Sequence, residues 1–461
     1  MTISNSLTKK AEKLRKSEYS LDFEEIFDSS SNVRFEKYGD IPKNFTIYVD
    51  DKNLKCSNSN DYQPILADIL DIAVAIHVSD RVCDQKMEYP AREITVCLPL
   101  RKPQIFNKKE NLEKIKELLF WATGTDWIFI FKSHSRKPRF SEKNRASIQF
   151  PIRETEVALW SGGLDALAGL YYRFKEAPEK EFTLLGSGSK DNMFGKQKAI
   201  RNALPKELKG KTKLFQIPIR LFGIDEKGKN YFMRSRGVVF ALIGSVVATL
   251  QGQSKLHIYE NGIGAFNLPY SESSIGMDHS RSVHPITLSK VSVFVSNLLK
   301  KKFEIINPFL YSTKAEMLKY LHLDKRLDLV NQSMSCDRPH REVIVQCGYC
   351  SSCILRRLSI YNAEFDDTSM YKIMDLKSAK KDKKKYFEHM DYQVSRIKKA
   401  LDSQNTNESK WEAFSRLFPD LDEVIDLKYE IEKQDTFAMK NKILKTYENH
   451  IKEWKAFYAS I

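Results

Sequence analysis

Nineteen residues, Glu156 to Phe174, read EVALWSGGLDALAGLYYRF and constrain the fold more than any other stretch of the chain. Val157 to Trp160 form a short apolar run of the kind that builds a buried parallel strand. Ser161-Gly162-Gly163 ends it. From Asp165 the spacing turns helical, with Leu167, Leu170, Tyr171 and Phe174 on one side. A strand, a glycine turn and a helix start in that order make an anion site. The glycines admit close backbone approach, and the free N–H groups and helix dipole favour phosphate oxygens. The glycine spacing fits neither a P-loop, which needs a Lys-Ser/Thr pair, nor the dinucleotide fingerprint. A tight turn without a ligand is the plainer alternative.

Repeated strand-helix units continue from Glu154 to about residue 365. Strands are expected at Val157–Trp160, Phe182–Leu185, Leu214–Ile217 and Leu256–Tyr259. Helices are expected around Asp165–Phe174, Lys196–Ala203, Ser235–Leu250 and Lys290–Leu299. This pattern predicts an α/β fold with a parallel sheet covered on both faces, and ligands at the carboxyl ends of its strands. Ser161–Asp165, Gly186-Ser187-Gly188-Ser189 and Glu260-Asn261-Gly262 fall at three such ends.

Residues 1–150 read as an accessory α+β domain. Its strands are expected at Phe45–Val49, Ile94–Leu98 and Trp127–Phe131, and its helices at Ile65–Val82 and Asn111–Ala122. Asp80-Arg81 at a helix end reads as a surface ion pair, with the neighbouring active site as the other destination. The basic stretch His134 to Arg145 reads as a linker. Residues 366–461 form a lysine-rich helical extension. In its last helix Ile443, Tyr447, Ile451, Trp454 and Tyr458 recur at helical spacing and bury one face.

With 75 Lys and Arg against 60 Asp and Glu, the net charge is +15. The excess is dispersed, apart from the run Lys380 to Lys385, so nucleic acid is the less favoured reading and a polyanionic nucleotide suits the charge equally. The most apolar run, Val238 to Leu250, is too short to span a bilayer, and the N-terminus has no apolar core behind its basic residues. A cytoplasmic protein without a membrane partner is expected.

Three of the seven cysteines, Cys56, Cys83 and Cys97, are scattered; Cys336, Cys347, Cys350 and Cys353 are clustered. That is metal-site usage in a reducing compartment. Four thiolates with CxxCxxC spacing close a tetrahedral zinc site and leave no open position, so its role is structural. An iron–sulfur cluster is the rival.

Ser-Gly-Gly-x-Asp resembles the PP-loop of ATP pyrophosphatases, which cleave ATP to AMP and pyrophosphate on a HUP-like sheet. The loop Ser161 to Asp165, followed by the C…CGYCxxC stretch and Arg356-Arg357, resembles 7-cyano-7-deazaguanine synthase, the QueC family, over residues 155–365. The chain departs from that family in its two added regions, in Ala166 where Ser is usual, and in Arg234-Ser235-Arg236-Gly237 at the third helix. The extended form resembles the QatC-type proteins of bacterial anti-phage systems.

The resemblance implies a domain at residues 151–365 that binds ATP through Ser161, Gly162, Gly163, Leu164, Asp165, Gly186 and Ser187. Asp165 would lie near Mg²⁺, with Zn²⁺ on the four cysteines. It implies an AMP-forming carbon–nitrogen ligase that adenylates 7-carboxy-7-deazaguanine and passes the acyl group to ammonia, or to an amine on an operon-encoded partner protein. Asp165, Arg234 and Arg236 are the expected catalytic residues. Glu260, Asn261, His279, Arg281 and His284 are the expected substrate contacts, with Glu260 or Asp278 accepting from the guanine-like edge. Helix-end surface arginines and a solvated loop are the bland counterparts. Two other functions fit the PP-loop: a tRNA-modifying enzyme of the thiolation or lysidine type, or a non-catalytic scaffold.

Overall fold

The sheet is held together at one antiparallel seam. In the computed structural model β8 (Thr212–Phe222) pairs with β3 (Lys43–Val49), with Val49 opposite Ile219 and Thr46 opposite Phe222. The model describes residues 18–26, 29–54, 63–84, 92–135, 139–143, 154–188, 191–224, 230, 233–270, 280–336, 345–376 and 379–461. Through that seam, ten strands among the described residues form one sheet.

On one side of the seam stand β2 (Ser30–Lys37), β1 (Tyr19–Phe23), β4 (Glu93–Leu100) and β5 (Asp126–Ser133). β1 is antiparallel to β2 and parallel to β4, and β4 is parallel to β5. Helices α1 (Pro64–Val82) and α2 (Lys109–Thr123) accompany them. All five elements expected in this region form where expected. β1 and β2 are additions to the elements expected, although both alternate polar and apolar residues.

On the other side lie five parallel strands in the order β10 (Glu304–Ile306), β9 (Lys255–His257), β6 (Thr155–Leu159), β7 (Glu181–Gly188) and β8. Side chains alternate between two cores, as a pleat requires. Val157 and Leu185 join one core with α5 (Arg236–Leu250) and α7 (Pro285–Leu299). Ala158 and Leu184 face the other, with α3 (Leu164–Glu176) and α4 (Asp191–Ala203). The chain leaves β6 for β7 and β8 on one flank and returns to β9 and β10 on the other. The order therefore reverses between β6 and β9, and the crevice there is the ligand position of an open α/β sheet.

The long α1 packs on α5, and its residues share one core with the parallel strands. The tail folds into α10 (Lys381–Asp402), α11 (Asn407–Leu417), α12 (Asp420–Glu432) and α13 (Thr436–Ser460). Their apolar faces meet α9 (Ser351–Asn362) and the clustered cysteines. The stripe on the last helix is thus covered within the chain from Ile443 to Trp454, while Tyr458 at its end is exposed. Among the described residues no helix is long and apolar enough to cross a membrane.

Two readings are corrected. Asp80 is not in a surface ion pair: it is fully buried, paired with Arg92, and accepts from Ser235 N and Oγ at 3.0 and 2.7 Å and from Asn230 Nδ2 at 3.2 Å. Burial of α1 on both faces drives this, because a carboxylate carried into the core must find a cation and donors. The stretch His134 to Arg145 is not simply a linker. Arg139 is fully buried, with Nε 2.8 Å from Asp51 Oδ2 and a second ion pair to Asp71, and Phe140–Lys143 is helical.

Replacing Arg92 by Met strands the Asp80 charge in the core and is expected to cost about 3–5 kcal/mol. Urea unfolding of Arg92→Met against the parent checks this, and an equal midpoint would refute it.

Candidate active site and cysteine centre

The turn after β6 starts from Gly162, whose φ of +75° is open to glycine at little cost. Gly163 is the residue before the first helical turn of α3, and its N–H donates to Ser161 Oγ at 3.1 Å. Ser161 is exposed at the crevice, whereas the Leu164 side chain is core, leaving its backbone as the part that can face a ligand.

Asp165, in the first turn of α3, is the meeting point of three segments. Lys314 Nζ lies 2.7 Å from Asp165 Oδ2, and Asn261 Nδ2 donates to Oδ1 at 2.8 Å. Asn261 also donates to Glu260 Oε1 at 2.9 Å and accepts from Gly264 N, starting the short helix α6 (Gly262–Phe266). Lys314 opens a further short helix, α8 (Lys314–Met317), capped by Thr313 and Glu316. A lysine this deep holds its proton through its neighbours: burial pulls its pKa down, but Asp165 and then Glu260 raise it above the usual value. Glu260 moves the other way from an ordinary carboxyl. Burial, and then the Asp165 charge, push it well up.

The second strand end is occupied differently from the first. Gly186 lies against the Gln197 side chain, and the Ser187 hydroxyl donates to Ile217 O at 3.2 Å, so it is engaged within the sheet. Gln197 knits this end together: its carbonyl accepts from Trp160 Nε1 at 3.0 Å, and its Oε1 accepts from Gln216 Nε2 at 3.0 Å. Lys196 beside it has its pKa lowered, by burial and then by the charge of Arg356.

Arg234 and Arg236 flank Ser235 at the start of α5, which Asp80 anchors from below. Arg236 extends over the Phe240 ring at 5.2 Å. Gly237 lies against the Ser282 backbone, bringing the 280–284 segment to this helix start. That segment is only partly solvated: Ser280 is exposed, Arg281 to Val283 are half-buried and His284 is buried. Arg281 stacks 3.7 Å from the Trp121 ring centroid and bonds Trp121 O at 3.0 Å and Asp420 Oδ2 at 3.2 Å. His284 is buried, its Nδ1 accepts from Ile286 N at 3.3 Å, and burial followed by Arg281 lowers its pKa to about 3, so it is neutral. His279, Asp278 and Ser189 lie outside the described residues.

The four clustered cysteines are buried together, and their sulfurs all lie within 4.8 Å of one another. Cys347 Sγ and Cys353 Sγ are 3.8 Å apart, against about 3.8 Å for two ligands of one tetrahedral ion at 2.3 Å Zn–S bonds. Sulfurs this close suit a single ion; a four-iron cluster would need them farther apart. The Cys336 sulfur, then those of Cys350 and Cys353, hold the Cys347 thiol far below its ordinary range, in the thiolate form that binds metal. The donor set therefore fits structural zinc.

This centre is tied to the glycine turn. Met334, two residues before Cys336, donates its N–H to Gly162 O at 3.1 Å. Arg356, one turn beyond Cys353 on α9, is fully buried and donates to Ser333 Oγ and Val330 O, each at 2.7 Å, and to Ser369 Oγ at 3.1 Å. The segment that touches the turn is thus gripped by sulfur on one side and by a guanidinium on the other. Lys314 and Gln197 lie outside the motif positions that drew sequence-based assignment, whereas Arg356 is the arginine that follows the cysteine motif. Only the run Thr313-Lys314-Ala315-Glu316, which has the form of a capping box, carried a local signal.

A family model described as queuosine biosynthesis protein QueC matches residues 224–364. The span holds α5, Glu260, Asn261, Lys314 and the four cysteines, and it excludes the Ser161–Asp165 turn. No curated protein sequence matches the chain. The QueC-like region, residues 224–364, is embedded in a larger sheet and followed by a helical tail.

Cys347→Ser is expected to reduce bound zinc from about one per chain to well below half, measured by elemental analysis of purified protein. Retention of full zinc would remove the centre assigned here. Glu260→Gln tests the raised carboxyl in the unliganded protein. A carboxyl whose folded pKa exceeds its unfolded value is most stabilising when protonated, and that stability is lost as pH rises through the folded value. The variant should therefore melt higher than the parent at pH 8, with the difference closing at pH 4. A difference independent of pH would refute the shift.

Proposed function

We propose that the protein is an AMP-forming carbon–nitrogen ligase that uses ATP to activate a 7-deazaguanine carboxylate. The observation that carries this reading is the buried Asp165–Lys314 pair, joined by Asn261 and Glu260, at the switch point directly under the glycine turn. A turn serving only to connect β6 to α3 has no need of a buried ammonium flanked by two carboxyls. A triphosphate laid along the first turn of α3 uses all of these groups.

In this reading the substrate carboxylate oxygen attacks the α-phosphorus, and the α–β phosphoanhydride breaks with its electron pair leaving on pyrophosphate. Lys314 stabilises charge developing on the phosphates, and the N–H groups at the start of α3 add their dipoles. Asp165 and Glu260 are the residues that would hold Mg²⁺, in keeping with an ion that takes one or two carboxylates plus phosphate oxygens. When bound it supplies charge neutralisation on the phosphates. An amine then attacks the acyl carbon, AMP leaves, and the amine proton passes to solvent.

Arg234 and Arg236 are assigned to the leaving group and the 280–284 segment to the wall of the base pocket, since Gly237 and Ser282 bring the two together. Glu260 belongs on the phosphate side in this scheme, because its neighbours are Asp165 and Lys314. The acceptor is either ammonia, giving the amide and then the nitrile, or an amine on a partner protein. The strands at residues 19–133 and the helices at 381–460 extend well beyond the QueC-like region and offer surface for a protein partner. A role in anti-phage defence rests on the same extended architecture.

Purified protein with Mg-ATP and 7-carboxy-7-deazaguanine should release AMP and pyrophosphate only when the carboxylate is present. Asp165→Ala and Lys314→Met are each expected to lower that rate by about 10²-fold or more. Carboxylate-independent or absent AMP release refutes the ligase, and salt-sensitive binding of tRNA in its place would support a tRNA-modifying PP-loop enzyme. Intact-mass spectra of a co-expressed partner, searched for a deazaguanine adduct, separate protein from ammonia as acceptor.

A further inference from the structure

The last helix reaches the turn that presents Lys314. Thr446, Asn449 and Glu453 lie on one face of α13 at spacings of three and four. Glu453 Oε1 accepts from Thr313 Oγ1 at 2.5 Å, and Asn449 Nδ2 donates to Glu316 Oε1 at 2.9 Å. Thr313 and Glu316 are the two halves of the capping box that starts α8: Thr313 N donates to Glu316 Oε2 at 2.8 Å, and Glu316 N donates to Thr313 Oγ1 at 3.2 Å. Each capping residue is therefore held from inside by its partner and from outside by α13. Lys314, between them, makes the 2.7 Å pair with Asp165.

The same helix closes over the other half of the site. A β-carbon at Gly262 would fall 2.3 Å from Leu310 O and 3.2 Å from Thr446 Cγ2, so the residue after Asn261 is wedged between the 310 backbone and α13. Gly262 N donates to Ser312 O at 2.8 Å, and the Phe266 ring packs 6.3 Å from Tyr447. Asn362 Nδ2 bonds Glu453 O at 3.0 Å and ties α13 to α9 as well. Glu453 Oε2 is buried with no hydrogen-bond partner, and burial raises the carboxyl to about 7. Such a carboxyl is costly to keep unless its geometry is used.

We propose that the C-terminal helix is a working part of the nucleotide site, with Glu453 and Asn449 as positioning residues that hold the capping box so that Lys314 meets Asp165 and the phosphates. This deepens the ligase reading and rests on it for the identity of the reaction. The residues lie beyond the 224–364 region, so the extension contributes to chemistry as well as to any partner surface.

Glu453→Leu removes the acceptor at similar size, and Glu453→Gln keeps an oxygen for Thr313. Three quantities are measured on the full chain: melting temperature, amide hydrogen exchange of the peptide spanning residues 310–318, and steady-state AMP release. Glu453→Leu is expected to melt like the parent, to exchange faster at 313–317, and to lose about tenfold or more in kcat with KM for ATP changed less than about twofold, as for a displaced catalytic group. Glu453→Gln should restore both exchange and kcat. Parent-like exchange and kcat in Glu453→Leu would overturn the proposal, as would equal defects in the Leu and Gln variants. Should the Leu variant fold poorly, Asn449→Ala carries the same comparison from a half-buried position. If the parent itself releases no AMP, the ligase reading fails, while the exchange of residues 310–318 still decides whether α13 holds the Lys314 turn.

Discussion

A buried ammonium must keep a carboxylate beside it, and that requirement at Lys314 organises the site. With side-chain exposures of 5% for Lys314 and 13% for Asp165, the pair gets little help from water, so separating it would leave a charge in a medium that solvates it poorly. The turn after β10 is thereby pinned to the first turn of α3. Asn261 adds the end of β9, because its amide spans Asp165 and Glu260 at 2.8 and 2.9 Å. The crevice that topology opens between β6 and β9 is thus stitched by side chains from both sides.

The glycine turn is held from a second direction by the cysteine centre. Met334 meets Gly162 through one backbone hydrogen bond, and the short segment around it is fixed by Cys336 and by Arg356. The metal loop needs no open coordination position to matter for nucleotide binding, since its rigidity is passed on through three residues of chain. The added regions act at the same margins. Asp80 on α1 holds the Ser235 turn from which Arg234 and Arg236 project, and α13 holds the capping box at Thr313. Neither addition is a free appendage, because each ends on an element that carries a site residue.

The parts legible in the sequence are those whose signal is local. The strand, glycine turn and helix of residues 156–174 lie within one window, as do Cys347, Cys350 and Cys353, and both fold as the spacing predicts. Lys314, Gln197 and Glu453 were not legible because their partners are remote in the chain, and a lone Lys or Glu on a short helix usually faces solvent. β1 and β2 do alternate, with Tyr19, Leu21 and Phe23 and then Val33 and Phe35 between polar residues, but each run is short; β10 has three residues, too few for a period to show. Asp80 was misread because α1 is buried nearly all round. Its spacing alone suggested a helix with one polar face, whereas the other face is covered by α5 and the carboxylates Asp68, Asp71 and Asp80 find arginine partners inside the core.

The charge state of the resting cluster follows from the same geometry. Asp165 and Lys314 offset each other in a poorly solvating environment, and burial, then the Asp165 charge, push the Glu260 carboxyl up from its ordinary value. That balance is cheap to maintain and sensitive to what enters. The pair requires Lys314 to stay where Asp165 can neutralise it. A capping box gripped from outside by the last helix meets that requirement better than four residues of isolated helix, whose own stability is marginal.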